Sequence, residues 1–150
     1  MASTLTSILL HIVFSTKNRE ACIAEAIEPD LHAYIGGICR NNGSALRAAG
    51  GTSDHIHLLV SQAKTISTSD LLQQIKGDSS EWIKTRGGEF AGFRWQEGYG
   101  AFSIGQSQVG ALRRYLAGQK EHHRTRSFQE EFLELLRKYK VEYDERYIWG

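Results

Sequence analysis

His55 and His57, separated by one residue in the run from Asp54 to Val60, are the residues of this chain best spaced for chemistry. Side chains alternate between the two faces of a strand, so both imidazoles leave on one side while Ile56, Leu58 and Val60 leave on the other. Such a pair can share one divalent cation. Further along, Tyr115 and Gln119 lie four residues apart, which on an α-helix stacks a phenol and a carboxamide on one face, roughly 6 Å apart. A phenolic oxygen can attack phosphorus, and the phosphotyrosine it forms keeps the energy of the phosphodiester bond for a later rejoining step. A free phenol is mostly protonated at neutral pH, its pKa being about 10, so it needs assistance. A cation held by His55, His57 and the Gln119 carboxamide oxygen would supply it by binding a non-bridging phosphate oxygen and neutralising developing charge. Ligand preference leaves Mg²⁺ and Mn²⁺ both open.

Each signal has a plain alternative when taken alone. A His-x-His strand also occurs in histidine-triad hydrolases, which need a third histidine where Leu59 stands, and in amidohydrolases, whose barrel this chain is too short to build. Two exposed strand histidines beside an aspartate turn would look the same, and a lone helical tyrosine is usually a packing residue. The conjunction carries the weight. Around it lies a basic block: Arg113, Arg114, Lys120, Arg124 and Arg126 with His122 and His123 face one acid, Glu121, although the whole chain carries a net charge of only +1. Lys17, Arg19, Arg113, Arg114, Lys120, His122 and Arg124 are the candidate phosphate contacts, with a solvated surface as the alternative for each. On a continuous helix His122 stands roughly 10 Å along the axis from Tyr115, too far for a direct hydrogen bond. His11 shares the outer face of the first strand and is a candidate lining residue. Tyr99 and Phe102 read as core rather than base-stacking residues.

The elements that must position these groups follow from periodicity. Thr4 to Thr16 alternates as a strand buried mainly on one face, with Ile8, Leu10, Ile12 and Phe14 together. Glu28-Pro29-Asp30 starts a helix carrying Leu31, Tyr34, Ile35, Ile38 and Cys39, which stops at Asn41-Asn42-Gly43. Short strands are expected over Ala45 to Ala49 and His55 to Ser61. Ser67 with Asp70 caps a second amphipathic helix running to about Thr85. Phe93 to Trp95 and Tyr99 to Ile104 read as short strands, Ser107 to His123 as a helix, and Ser127 with Glu130 as the capped start of a last helix. The fold expected is α+β and ferredoxin-like, β-α-β-β-α-β: an antiparallel sheet with helices on one face, plus two C-terminal helices, the first bearing Tyr115. The histidine face would then be exposed unless a partner or nucleic acid covers it.

With 41% hydrophobic and 23% charged residues, 150 residues make one domain with a real core. Two cysteines without metal spacing point to a reducing, cytoplasmic setting, and the apolar run from Ile8 to Phe14 is far too short to span a bilayer.

With these residues in hand, the chain resembles the single-tyrosine HUH transposases of insertion sequence 200/605 type. The resemblance runs over nearly the whole chain, in His11 to Arg19, Asp54 to Leu59, Trp95 to Phe102, Tyr115 to His123 and Glu142 to Tyr147. It implies an enzyme that cuts and rejoins single-stranded DNA at hairpin-marked ends, through a 5′-phosphotyrosine formed by Tyr115 and a divalent metal held by His55, His57 and Gln119. It also implies a homodimer in which the tyrosine helix of one chain can serve the histidine pair of the other. One position departs: Gly118 falls where the family commonly has a larger residue, and within a helix glycine costs roughly 1 kcal/mol relative to alanine. Two other readings remain open. One is a domesticated relative that binds hairpin nucleic acid without cutting, the other a phosphodiesterase using water as nucleophile.

Overall fold

The structure is a computed structural model that describes residues 2–150. Four strands, β1 (Leu9–Ser15), β2 (Ala45–Gly51), β3 (His55–Ser61) and β4 (Gly100–Ile104), form one antiparallel sheet in the order β2-β3-β1-β4. This is the expected ferredoxin-like order, with β1 and β3 side by side at the centre. Helices α1 (Glu28–Asn41) and α2 (Thr68–Lys84) cover one face. Leu10, Ile12 and Phe14 of β1 meet Ile56, Leu58 and Val60 of β3 there, beneath Leu31, Ile35, Leu71 and Ile75. Pro29 sits in the first turn of α1, where its missing N–H costs nothing, and the Ser67 hydroxyl accepts the Asp70 N–H at the start of α2.

The opposite face is not open. Helices α3 (Val109–Ala117), α4 (Gln119–His122) and α5 (Phe128–Lys138) fold back over it, and all seven residues of β1 are buried. The strand alternation explains how. His55, His57 and Leu59 leave β3 on this side, and Leu59 packs with Leu112 and Leu116 of α3. Val13 of β1 packs with Phe102, Phe128 and Phe132, seating α5 beside it. The exposed histidine face expected from the topology is therefore covered by the chain's own C-terminal helices, and both imidazoles are fully buried.

Two further expectations are corrected. Phe93 to Trp95 forms no strand, only an isolated bridge between Thr16 and Trp95, because Phe93 and Trp95 turn into the core against Phe14. The helix expected over Ser107 to His123 is two segments, broken at Gly118 (φ −92°, ψ 9°), whose N–H bonds back to the Arg114 and Tyr115 carbonyls. Gly118 thus ends a helix instead of weakening its interior.

Glycine is required elsewhere. A Cβ on Gly50 of β2 would lie 2.1 Å from the Leu116 carbonyl oxygen, so the tyrosine helix rests its last turn directly on that strand's backbone. The Gly50→Ala substitution should cost about 1–3 kcal/mol of unfolding free energy, the usual penalty of overpacking. At Gly118 an added Cβ would meet nothing closer than 3.5 Å, and its φ suits an L-residue, so Gly118→Ala should stabilise by about 0.4–1 kcal/mol. Urea titrations of the two variants check both signs.

Candidate active site

The centre of the site is a carboxylate that the sequence reading did not single out. Glu131 lies on the apolar stripe of α5 between Phe128, Phe132 and Leu135, and is 1% exposed. Its Oε1 accepts from His57 Nε2 at 2.8 Å. Its Oε2 accepts from the Tyr115 hydroxyl and, at 3.0 Å, from the Gln119 amide. His123 Nε2 stands 3.1 Å from Oε1, within ion-pairing distance but off the line of a hydrogen bond, so this buried nitrogen has no hydrogen-bond partner. His55 Nε2 and His122 Nε2 each lie 3.5 Å from the same carboxylate. Strand β3, helix α3 and the segment around α4 therefore all aim polar groups at one residue of α5.

An outer ring holds these groups in place. His55 Nδ1 bonds Asp54 Oδ1 at 2.7 Å, and Thr52 bonds the same carboxylate oxygen at 3.0 Å. His11 Nε2 bonds His57 Nδ1 at 2.8 Å, which puts His11 in the lining as expected. Burial is the main cause of the shifted protonation here. It holds His57 at about 4 although Glu131 pulls the other way, and His11 at about 3 with His57 adding to the effect. Glu131 resists the same desolvation because the close His123 imidazole and the hydrogen bond from His57 favour its charge, leaving it well below the ordinary range. Burial and that charge together push the Tyr115 phenol well above its usual value.

The donor set suits a divalent cation. One donor atom each from His55, His57, His123 and Glu131 lies within 4.8 Å of the others, close enough to hold one metal ion. Lone pairs point the same way. If His55 gives its Nδ1 proton to Asp54, its Nε2 is a bare acceptor, yet it faces the Gln119 Oε1 acceptor at 2.8 Å. Turning the amide over would set its oxygen against Glu131 instead. A cation between His55 Nε2 and Gln119 Oε1 resolves the conflict, and the Asp54 bond is the outer-shell partner that metal-bound histidines usually have.

Of the residues selected from sequence, His55, His57, Tyr115 and Gln119 come together around Glu131. His122 joins them: its ring centroid is 5.5 Å from that of Tyr115, not a helical turn out of reach, because the chain kinks at Gly118. The basic residues divide. Lys120 is bound to the Glu28 carboxylate at 2.8 Å, and Arg124 to Glu121 at 3.1 Å. Arg19 donates to the Trp149 carbonyl at 2.5 Å, holding the C-terminal tail. Arg113 and Arg114 lie exposed on α3, and Lys17 is half-buried after β1. Phe102 is core, as read, while Tyr99 remains 37% exposed. No helix among the described residues is long and apolar enough to cross a membrane.

Comparison with known proteins fits this geometry. The family model described as "Transposase IS200 like" matches residues 4–119, so the chain belongs to the IS200-like transposase family. A candidate transposase of Deinococcus radiodurans R1, known from a crystal structure, has a similar fold, with a TM-score of 0.62 and 18% identity over 79% of this chain and 95% of that one. A REP-associated tyrosine transposase solved bound to a REP hairpin gives a TM-score of 0.58 and 12% identity over 79% of this chain and 69% of that one. No curated protein matches the chain. The family match ends at Gln119, before His123 and Glu131.

The buried imidazoles make stability depend on pH. An unfolded histidine takes its proton near 6.5, whereas the folded His57 and His11 do so only near 4 and 3. Between those values the unfolded chain binds more protons, so stability is complete above pH 6.5 and falls as pH drops. His123, shifted upward by Glu131, contributes in the opposite sense and only above that window. With chelator present, denaturant unfolding should lose up to about 1.4 kcal/mol per pH unit for each of the two imidazoles between about pH 6 and pH 4. The slope should be shallower in His11→Gln.

Proposed function

We propose that this chain is a metal-dependent endonuclease and strand transferase for single-stranded DNA, acting at hairpin-marked ends with Tyr115 as nucleophile. The observation that carries the reading is the convergence of the Tyr115 hydroxyl and the His55 and His57 ring nitrogens on the single buried Glu131 carboxylate. Membership of the IS200-like family and the likeness to a tyrosine transposase solved with a hairpin support the substrate class.

Each group then has a definite task. As the Tyr115 oxygen bonds to phosphorus, the phenolic proton passes to Glu131 Oε2, which already accepts it. The bond from phosphorus to the 3′ oxygen breaks, the departing oxygen takes a proton from solvent water while Glu131 returns its own to the solvent, and a free 3′ hydroxyl and a 5′ phosphate on the tyrosine result. His55, His57 and Gln119 are the proposed metal ligands, with Glu131 and His123 completing the donor set. Bound there, Mg²⁺ or Mn²⁺ would act as a Lewis acid, offsetting negative charge on the phosphate. Reversal of the attack by another strand's 3′ hydroxyl rejoins DNA without external energy. Arg113, Arg114, Lys17 and His122 are placed for phosphate contacts, whereas Lys120, Arg124 and Arg19 must first release the partners they hold. One chain supplies every one of these groups, so the homodimer implied by the family resemblance would add no donor.

One observation favours the non-cutting alternative. The ionised Glu131 beside Tyr115 stabilises the neutral phenol, so a chain in which it never shifts toward a metal would bind hairpins without cleaving them.

Incubation of hairpin-bearing single-stranded DNA with the protein and Mn²⁺ should give a covalent adduct that Tyr115→Phe abolishes. Binding without any adduct would establish the non-cutting reading, and cleavage surviving in Tyr115→Phe would establish water as the nucleophile. His57→Ala should abolish cleavage and leave hairpin affinity within about tenfold, because metal-assisted chemistry and phosphate contacts are separate terms. Calorimetry of Mn²⁺ binding should show Glu131→Gln weakening it by tenfold or more, in the range of about 10–100-fold found when such supports are removed.

A further inference from the structure

Two hollows adjoin the site, one at His123 and the other at Tyr115 and Glu131, and their chemistry differs. The one beside His123, of about 470 Å³, is lined by hydrogen-bonding and charged groups, among them Thr52, Ser53, Lys120, Arg126 and Ser127. The other, of about 350 Å³, lies between α3, α5 and the end of β4, and Tyr115 and Glu131 themselves form part of its wall. Its remaining floor is apolar: Ile104, Ala111, Leu112 and Leu135, closed at one end by the Tyr139 ring. Besides Tyr115 and Glu131, four polar side chains line it: His11, the Gln108 carboxamide, the Lys138 ammonium and Glu134, whose carboxylate is paired with Arg126.

We infer that this second hollow is a binding site for one unpaired nucleobase, that of a nucleotide flanking the scissile phosphate, and that Gln108 reads its edge. The inference rests on the reading of the chain as a single-stranded DNA nuclease. A strand whose phosphorus sits against the Tyr115 oxygen must lay its neighbouring nucleotides into the spaces adjoining that residue. The hollow beside His123 also carries the carboxylates Glu25, Glu28 and Asp54, which makes it the poorer match for a nucleotide. The apolar one suits a flat, unstacked base, for which apolar and aromatic contact compensates lost stacking. Its size falls at the lower end of the roughly 300–1,000 Å³ range of small-ligand pockets, which fits one base-sized group. Gln108 Oε1 accepts the Gly105 N–H at 2.7 Å, fixing the carboxamide so that its NH₂ remains to donate to an acceptor on a base edge. Lys138, whose ammonium lies 5.4 Å from the Tyr139 ring centroid, supplies a cation at the rim for the adjoining phosphate.

Ala111→Phe would fill the hollow from the exposed side of α3, and Gln108→Ala would remove the reading group; both leave His55, His57, Gln119 and Glu131 unsubstituted. A DNA hairpin with single-stranded flanks, selected on the wild-type protein from a randomised pool, is made abasic at one flanking position at a time. Affinity is measured by fluorescence anisotropy. The wild type should lose about tenfold at one position, consistent with the stacking contribution of a single base. Ala111→Phe should bind the intact hairpin about that much more weakly and be indifferent to the abasic change there. Gln108→Ala should lose the preference for base identity at that position alone. Retained abasic sensitivity in Ala111→Phe, or no sensitive position in the wild type, overturns the inference. Mapping adducts on the same oligonucleotides separates the two readings: a sensitive position without any adduct leaves the base site standing and removes the nuclease. A sensitive position remote from the cleaved linkage retains the nuclease and removes the base site. Failure to select any hairpin removes both.

Discussion

A buried carboxylate must be satisfied, and that single requirement organises the C-terminal half of this protein. Glu131 is withdrawn from water on the inner face of α5, where an unpaired charge would cost several kcal/mol. It is tolerable only because β3 brings His57, α3 brings Tyr115, and the turn after Gly118 brings Gln119 to its two oxygens. The apolar clusters on either side, Leu59 with Leu112 and Leu116, and Val13 with Phe128 and Phe132, set the distance at which these groups meet. Packing and polar network are therefore one construction. Loosening α3 or α5 leaves buried polar atoms without partners, and removing a polar partner strands the others in a low-dielectric interior.

The same network is built to exist in two protonation patterns. In the arrangement seen, His57 donates Nε2–H to Glu131, so its Nδ1 is an acceptor and His11 must supply the proton between them. With a cation on His57 Nε2 the lone pair is needed there, the proton moves to Nδ1, and His11 becomes the acceptor. His11 suits both states because burial keeps it neutral, and a shift of its own proton from Nε2 to Nδ1 turns the nitrogen facing His57 from donor to acceptor. His55 is different. Asp54 and Thr52 hold its Nδ1, which turns its Nε2 inward toward Gln119 and Glu131. One imidazole is thus fixed in orientation from outside the site, and the other is linked through His11.

Much of this was legible in the sequence, and the remainder failed for physical reasons. The strand alternation around His55 placed both imidazoles on one face, and the capping residues Ser67 and Ser127 fixed the starts of α2 and α5. Hidden from view was what covers that face. A period-2 pattern with His55, His57 and Leu59 on one side and aliphatics on the other suggests a half-solvated strand, and only the amphipathic stripes of α3 and α5 indicate a second layer. Glu131 did leave a signal. It occupies the position three after Phe128 and four before Leu135, on the stripe that also holds Phe132 and Leu136, and an acid there must have a buried partner. His123 left none of comparable strength, since a histidine in a basic run reads first as surface.

The kink at Gly118 shows why spacing alone misjudged the helix that carries the tyrosine. On a continuous helix Tyr115 and Gln119 share a face, but His122 is displaced by two turns and His123 faces elsewhere. Ending the helix at Ala117 and restarting at Gln119 turns the chain back across β3, so that Gln119 reaches His55, His122 nears the phenol, and the His123 ring packs 4.4 Å from that of His55. The break costs little because helical bonding runs through it: the Gly118 N–H still donates to the Arg114 carbonyl, and the Gly118 carbonyl accepts from the His122 N–H. A straight helix would bring only Tyr115 and Gln119 to this face. The bent one closes a ring of donors around Glu131, which joins the chemistry of α3 to the packing of α5.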